Sequence, residues 1–242
     1  MNIIICDNYD EMSKIASEII SSEIEVKPNI TLGLATGSTP VGTYNELINL
    51  YNKGLLNFKE VKTFNLDEYY GLSKTHTKSY AYFMRETLFN HINIDLNNTY
   101  IPNGITNNIE KECLEYDSLI SRNGGIDLQI LGIGSNAHIA FNEPSNTFKR
   151  GTYLVDLTES TIEANSRFFS KKDDVPTKAL TMGVGSIFKA KKILLLASGK
   201  SKAKAIYDTL HGDIDPQVPS SILQLHNNVT IILDKDSASM LK

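Results

Sequence analysis

Residues 30–51, ITLGLATGSTPVGTYNELINLY, decide the fold. Ile30–Ala35 is a short apolar run of the kind that forms a buried strand. Thr36, Gly37, Ser38 and Thr39 make a turn of small residues, and Pro40 stands where a helix tolerates proline, in its first turn. Tyr44, Leu47, Ile48 and Tyr51 then recur on one helical face, and Gly54 marks the stop. A strand that turns directly into a helix is half of a βαβ unit. Such units wind right-handed into a parallel sheet covered on both faces.

The alternation extends in both directions. Upstream, the strand-like run Ile3–Cys6 is followed by Met12, Ile15, Ala16, Ile19 and Ile20 at helical spacing. Downstream, Val61–Phe64 reads as a strand, and Ser79 is placed to cap a helix bearing Tyr80, Phe83, Met84 and Leu88. Ile109, Cys113, Tyr116 and Ile120 mark another helix. Ile126–Leu131, Ile193–Ala197 and Val229–Leu233 complete the strands, with a helix from about Lys200 to Leu210 before the last. No repeat, low-complexity tract or linker interrupts the pattern. The expected fold is α/β: one domain over 1–242, with a single doubly wound, largely parallel, Rossmann-like sheet and helices on both faces. Leu157–Val175 has few periodic apolar residues and many charges, as expected of a mobile lid.

Composition narrows the function. The 242 residues are 41% hydrophobic and 21% charged, which excludes disordered, collagen-like and coiled-coil classes. Two cysteines, Cys6 and Cys113, exclude a disulfide scaffold and fit a reducing compartment. A net charge of −4 argues against nucleic acid or an anionic membrane as partner. The apolar runs Ile3–Cys6 and Ile193–Ala197 are too short to cross a bilayer. A soluble cytoplasmic protein is expected.

In sheets of this kind ligands sit beyond the carboxyl ends of the strands, and four segments there carry candidate chemistry. In Gly33–Pro40 the small residues let a backbone approach an anion, and the helix start supplies N–H groups. The plain alternative is a tight turn with a Ser or Thr cap. The segment is neither a P-loop nor a dinucleotide fingerprint. In Phe64-Asn65-Leu66-Asp67-Glu68-Tyr69-Tyr70 two adjacent carboxylates follow a strand. The pair can serve as a base or bind a metal, with a solvated acidic turn as the alternative, and the neighbouring aromatics would exclude water and lift the pKa of a base.

The third segment, Leu131–Pro144, runs from a strand through Gly132-Ile133-Gly134 to His138, with Glu143 five residues on. A histidine there suits proton shuttling at physiological pH, and a carboxylate can orient it and stabilise its cation. No second His or Cys stands at ligand spacing, so a zinc site is not expected. The fourth segment pairs Arg167, in Ala164-Asn165-Ser166-Arg167-Phe168-Phe169, with Lys200, Lys202 and Lys204, which follow Ser198-Gly199. An Arg fork matches phosphate, and a lysine at a helix start can reach an anion. A solvated basic face is the alternative.

Taken together, LGLATGSTP, FNLDEYYGL, LGIGSNAHIAFNEP, ANSRFF and LTMGVGSIFKAKKILLLASGKSKAKAI resemble the glucosamine-6-phosphate deaminase family. The likeness runs from Ile30 to Leu233. It implies that Asp67 takes the C2 proton of the open-chain sugar, and that His138, assisted by Glu143, moves a proton during ring opening. Asn136 occupies a position where some members carry Asp; it can hydrogen-bond but supplies no charge. Ala137 replaces the more usual Gly. Gly37, Ser38, Thr39, Arg167 and Lys202 would hold the phosphate of glucosamine 6-phosphate, and no metal or organic cofactor is implied. Longer hexameric members carry a basic activator site just after NEP. Here Tyr153 and Val155 stand where Arg and Lys are expected, so no allosteric activation and a monomer or small oligomer are expected. Two rivals remain: a 6-phosphogluconolactonase-like hydrolase, which needs no enolisation base, and a sugar-phosphate-sensing domain, which needs neither Asp67 nor His138.

Overall fold

The computed structural model describes residues 1–241 apart from 167, 168, 170, 172 and 173, and leaves the side chain of residue 164 undescribed. Strand β1 (Asn2–Cys6) leads into helix α1 (Tyr9–Val26), and β2 (Thr31–Leu34) into α2 (Val41–Asn52). Next come β3 (Lys62–Asn65), β4 (Asp67–Tyr69), α3 (Tyr80–Thr87), β5 (Thr99–Tyr100), α4 (Ile109–Arg122) and β6 (Leu128–Leu131). The remainder comprises β7 (Tyr153–Asp156), α5 (Glu159–Ser166), β8 (Lys178–Thr181), α6 (Val184–Phe188), β9 (Lys192–Ala197), α7 (Ala203–His211) and β10 (Val229–Asp234). Ser79 caps α3 as the sequence predicts, its hydroxyl accepting from the Tyr82 amide at 3.1 Å. The expected helix from Lys200 divides into a 3-10 turn over Lys200–Lys202 and α7 proper.

Seven strands form the main sheet in the order β1-β10-β9-β6-β2-β3-β5, every neighbouring pair parallel. Pleating sends alternate side chains to opposite faces, and the apolar run of β9 serves both. Leu194 and Leu196 pack with Met12, Ile20, Tyr44 and Leu47 from α1 and α2. Ile193, Leu195 and Ala197 pack with Tyr116, Ile187 and Ile206 from α4, α6 and α7. This is the doubly wound, helix-covered sheet that the strand–helix alternation predicts.

A second, three-stranded antiparallel sheet, β4-β8-β7, departs from the single sheet expected. β4 starts two residues after β3 ends, with only Leu66 between, and pairs Asp67 with Thr181 and Glu68 with Leu180. The segment expected as a strand end plus acidic turn is therefore a second short strand. Strand order on the main sheet reverses between β2 and β6, one half running outward through β3 and β5, the other through β9 and β10. A crevice opens at such a switch point.

Candidate active site

A cleft of about 620 Å³ occupies that crevice. Ala35–Thr39 after β2, Asp67 and Tyr69 on β4, Gly132–Asn136, His138 and Phe141 after β6, and Ser198, Ser201 and Lys202 after β9 all line it. Of the residues singled out in the sequence, Gly37, Ser38, Thr39, Asp67, Asn136, His138 and Lys202 thus meet at one surface. Glu143 stands behind His138 rather than on the wall. Arg167 lies outside the described residues. A smaller cavity of about 180 Å³, beside Asn65 and Met84, contains none of these residues.

Two tyrosines hold the turn after β2. Gly37 takes a φ of 92°, the left-handed region that suits glycine. The Tyr9 hydroxyl, from α1, donates to the Ser38 carbonyl at 3.0 Å and accepts from the Gly42 amide at 2.7 Å. The Tyr44 hydroxyl donates to the Ala35 carbonyl at 2.6 Å. Both tyrosines lie in helical periodicity, so nothing in the sequence distinguishes them from packing residues. Across the crevice Asp234 accepts from the Ser198 hydroxyl at 2.5 Å and the Gly199 amide at 2.9 Å, which fixes the turn that leads to Lys202.

Structure separates the two carboxylates that the sequence leaves equivalent. Successive residues on a strand point to opposite faces. Glu68 turns away from the cleft and accepts from the amides of Tyr69 at 2.8 Å, Tyr80 at 2.8 Å and Ala81 at 2.9 Å, capping the start of α3. Asp67 faces the cleft at 6% exposure. Burial, with the charge of Glu68 adding to it, pushes the Asp67 carboxyl up to about 8. Beside it Tyr69, Tyr80 and Phe141 form an aromatic wall, Tyr69 and Tyr80 with ring centroids 4.6 Å apart.

The turn after β6 presents the histidine. A Cβ on Gly134 would run into the His138 ring, so the absence of a side chain there makes room for the imidazole. Ala137 adopts a φ of 65°, a conformation that costs an alanine energy and explains why glycine suits this position. Asn142 ties the motif down, donating to the carbonyls of Ile139 at 3.0 Å and Met182 at 2.8 Å. His138 Nδ1 lies 3.5 Å from Glu143 Oε2 and has no closer hydrogen-bond partner among the described residues. Asn136 bridges the pair: its amide donates to Glu143 Oε2 at 2.7 Å and its oxygen accepts from the His138 amide at 3.3 Å.

Glu143 has a further partner that sequence reasoning misses, the Thr161 hydroxyl from α5, which donates to Oε1. Burial alone would raise the Glu143 carboxyl. The imidazole of His138, with Thr161 and Asn136, instead holds it down to about 2, so it is anionic at neutral pH. The site therefore combines a buried carboxyl of raised pKa, an imidazole backed by an anion, and an N–H-rich turn with a lysine opposite. Such a constellation can bind a phosphorylated small molecule and move protons on it.

Comparison with known proteins points the same way. Residues 8–232 match the family model described as glucosamine-6-phosphate isomerases/6-phosphogluconolactonase. The chain is 57% identical over 241 residues to the glucosamine-6-phosphate deaminase of Clostridioides difficile (strain 630), covering 100% of this chain and 97% of that one. It is 58% identical to that of Clostridium novyi (strain NT), with both chains covered completely. Among solved structures, a monomeric glucosamine-6-phosphate deaminase superposes with a TM-score of 0.97 at 46% identity, over 99% of this chain and 100% of that one. The 6-phosphogluconolactonase of Trypanosoma cruzi shares the fold at 20% identity and a TM-score of 0.78, over 100% of this chain and 97% of the other.

Proposed function

The chain belongs to the glucosamine-6-phosphate isomerase/6-phosphogluconolactonase family, and on that premise we propose that it converts glucosamine 6-phosphate and water to fructose 6-phosphate and ammonia. One observation carries the choice of reaction: Asp67, buried and with a raised pKa, faces the same cleft as His138, while its neighbour Glu68 is occupied by the cap of α3. A carbon base opposite a proton shuttle suits an aldose–ketose shift. Hydrolysis of a lactone has no C–H bond to break.

The parts then take roles in sequence. The turn at Gly37, Ser38 and Thr39 receives the phosphate, with Lys202 and Arg167 as its cations. His138 moves a proton between the ring oxygen and the C1 hydroxyl as the pyranose opens, and Glu143 stabilises the imidazolium that forms. Asp67 removes the C2 proton to give an enolamine, and a proton delivered to C1 leaves an imine at C2. Water adds to the imine and ammonia departs. Carbon C1 is reduced as C2 is oxidised, so the shift needs no external redox cofactor.

No helix among the described residues is long and apolar enough to cross a membrane. Cys6 and Cys113 are buried free thiols, which supports work in a reducing cytoplasm. Within the stretch expected to serve as a lid, Ser160, Thr161, Asn165 and Phe169 line the cleft, which supports that role. Ammonia release from glucosamine 6-phosphate, measured beside hydrolysis of 6-phosphogluconolactone, tests the assignment. Turnover of the amino sugar alone is expected; turnover of the lactone alone would replace the deaminase with the hydrolase.

A further inference from the structure

We infer that Thr161 is a positioning residue for His138, acting through Glu143. This deepens the reading above and rests on it. Thr161 is 4% exposed and belongs to α5, within a stretch whose composition suggests only a mobile lid. Its buried hydroxyl donates to Glu143 Oε1, and the Thr158 hydroxyl donates to it in turn at 3.1 Å. That leaves Oε2, braced by Asn136, as the oxygen directed at His138 Nδ1.

The arrangement matters because residue 136 is neutral. Glu143 is the carboxylate within ion-pair reach of the imidazole, and how much of its charge the histidine feels depends on what else the carboxylate binds. Other titratable groups bear on the pair: Tyr153 lies close enough to Glu143 to feel its charge, and Asp67 and Lys202 line the same cleft as His138. Among the described residues, Thr161 is the one that binds Oε1. A hydroxyl there competes with the imidazole for the negative charge of the carboxylate. Because Thr161 reaches in from α5 while Glu143 belongs to the turn after β6, the seating of α5 and the basicity of His138 are linked.

Removing the hydroxyl should free charge on Glu143 and make His138 more basic. Thr161→Val keeps the shape and deletes the donor; Thr161→Ser keeps the donor and deletes a methyl group. Titration of the His138 ring by NMR, in the substrate-free protein, reads the link whatever the substrate proves to be. The valine variant is expected to titrate about 0.5 to 1 pH unit higher than wild type, and the serine variant to stay with wild type. An unchanged titration in the valine variant would overturn the proposal, as would an equal shift in both variants, which would trace the effect to packing. Should the valine variant not fold, Thr161→Ala takes its place: a raised titration there beside a wild-type serine variant supports the link, and an unshifted one overturns it. A protein that turned over no amino sugar but showed the shift would keep the link and discard the reaction.

Discussion

Asp67 and Glu68 stand side by side in the chain, yet burial and pleating give them opposite work. The Asp67 carboxyl titrates near 8 in the folded protein against 3.8 ordinarily. The folded state therefore keeps a proton that the unfolded chain has lost through the intervening pH range, and stability falls as pH rises through that window. Asp67→Asn has no such proton to lose. Its melting temperature should match wild type near pH 4 and exceed it at pH 8 by on the order of 5 °C; parallel melting curves at both pH values would contradict the buried carboxyl. Activity must run the other way. As a base Asp67 works ionised, so wild-type kcat/KM should climb as pH rises towards 8. The residues that a sequence can single out are those whose type and place coincide with chemistry: small residues after β2, an acid pair after β3, a histidine beside a Gly-x-Gly. Thr161 and Tyr9 escape because a threonine in a charged stretch and a tyrosine in a helix look like filler until the fold brings partners 18 and 29 residues away into contact.

At the scale of elements, Glu68 joins β4 to α3. Its two carboxylate oxygens accept from the Tyr80 and Ala81 amides at the start of α3 and from the Tyr69 amide on β4, and a glutamine, with one acceptor oxygen, turns an N–H group towards an amide donor and leaves it unpaired. Glu68→Gln is expected to lower the melting temperature by roughly 5 °C. It should also move the acidic limb of the activity profile to lower pH, since the charge that helps raise Asp67 is gone. A variant with wild-type stability would contradict the cap. The turn after β6 makes a separate claim: Gly134→Ala drives a methyl group into the His138 ring, and kcat should drop about 10²-fold while circular dichroism stays that of the folded protein. Elements with strong apolar periodicity are legible in advance, including all the long helices and the central strands. β4, β7 and β8 are not. They span three or four residues each, and Asp67-Glu68-Tyr69 offers none of the apolar alternation that marks a strand.

For the whole molecule, the inference from sequence that matters most is topological. A doubly wound sheet has a switch point, and the turns after β2 and β6, its two flanking strands, are the ones with the small residues and the histidine. What sequence does not supply is the second sheet that swings Asp67 over that crevice. The expectation of a monomer or small oligomer without an activator site belongs to this scale too. Tyr153, where a basic residue would serve an activator, lies on β7 and its hydroxyl donates to Asn142 Oδ1 at 3.3 Å, inside the protein's own fabric. N-acetylglucosamine 6-phosphate should leave the rate at subsaturating substrate unchanged. Activation of about tenfold would contradict that expectation.

The most direct test of the central claim is the release of ammonia and fructose 6-phosphate from glucosamine 6-phosphate by wild type and Asp67→Asn, with binding of the sugar measured in parallel. Equal amounts of the two products from wild type, and a loss of about 10³-fold in the variant with binding retained, are the predicted results. Equal rates from both proteins would remove Asp67 as the carbon base, and an absence of ammonia from wild type would contradict the deaminase itself.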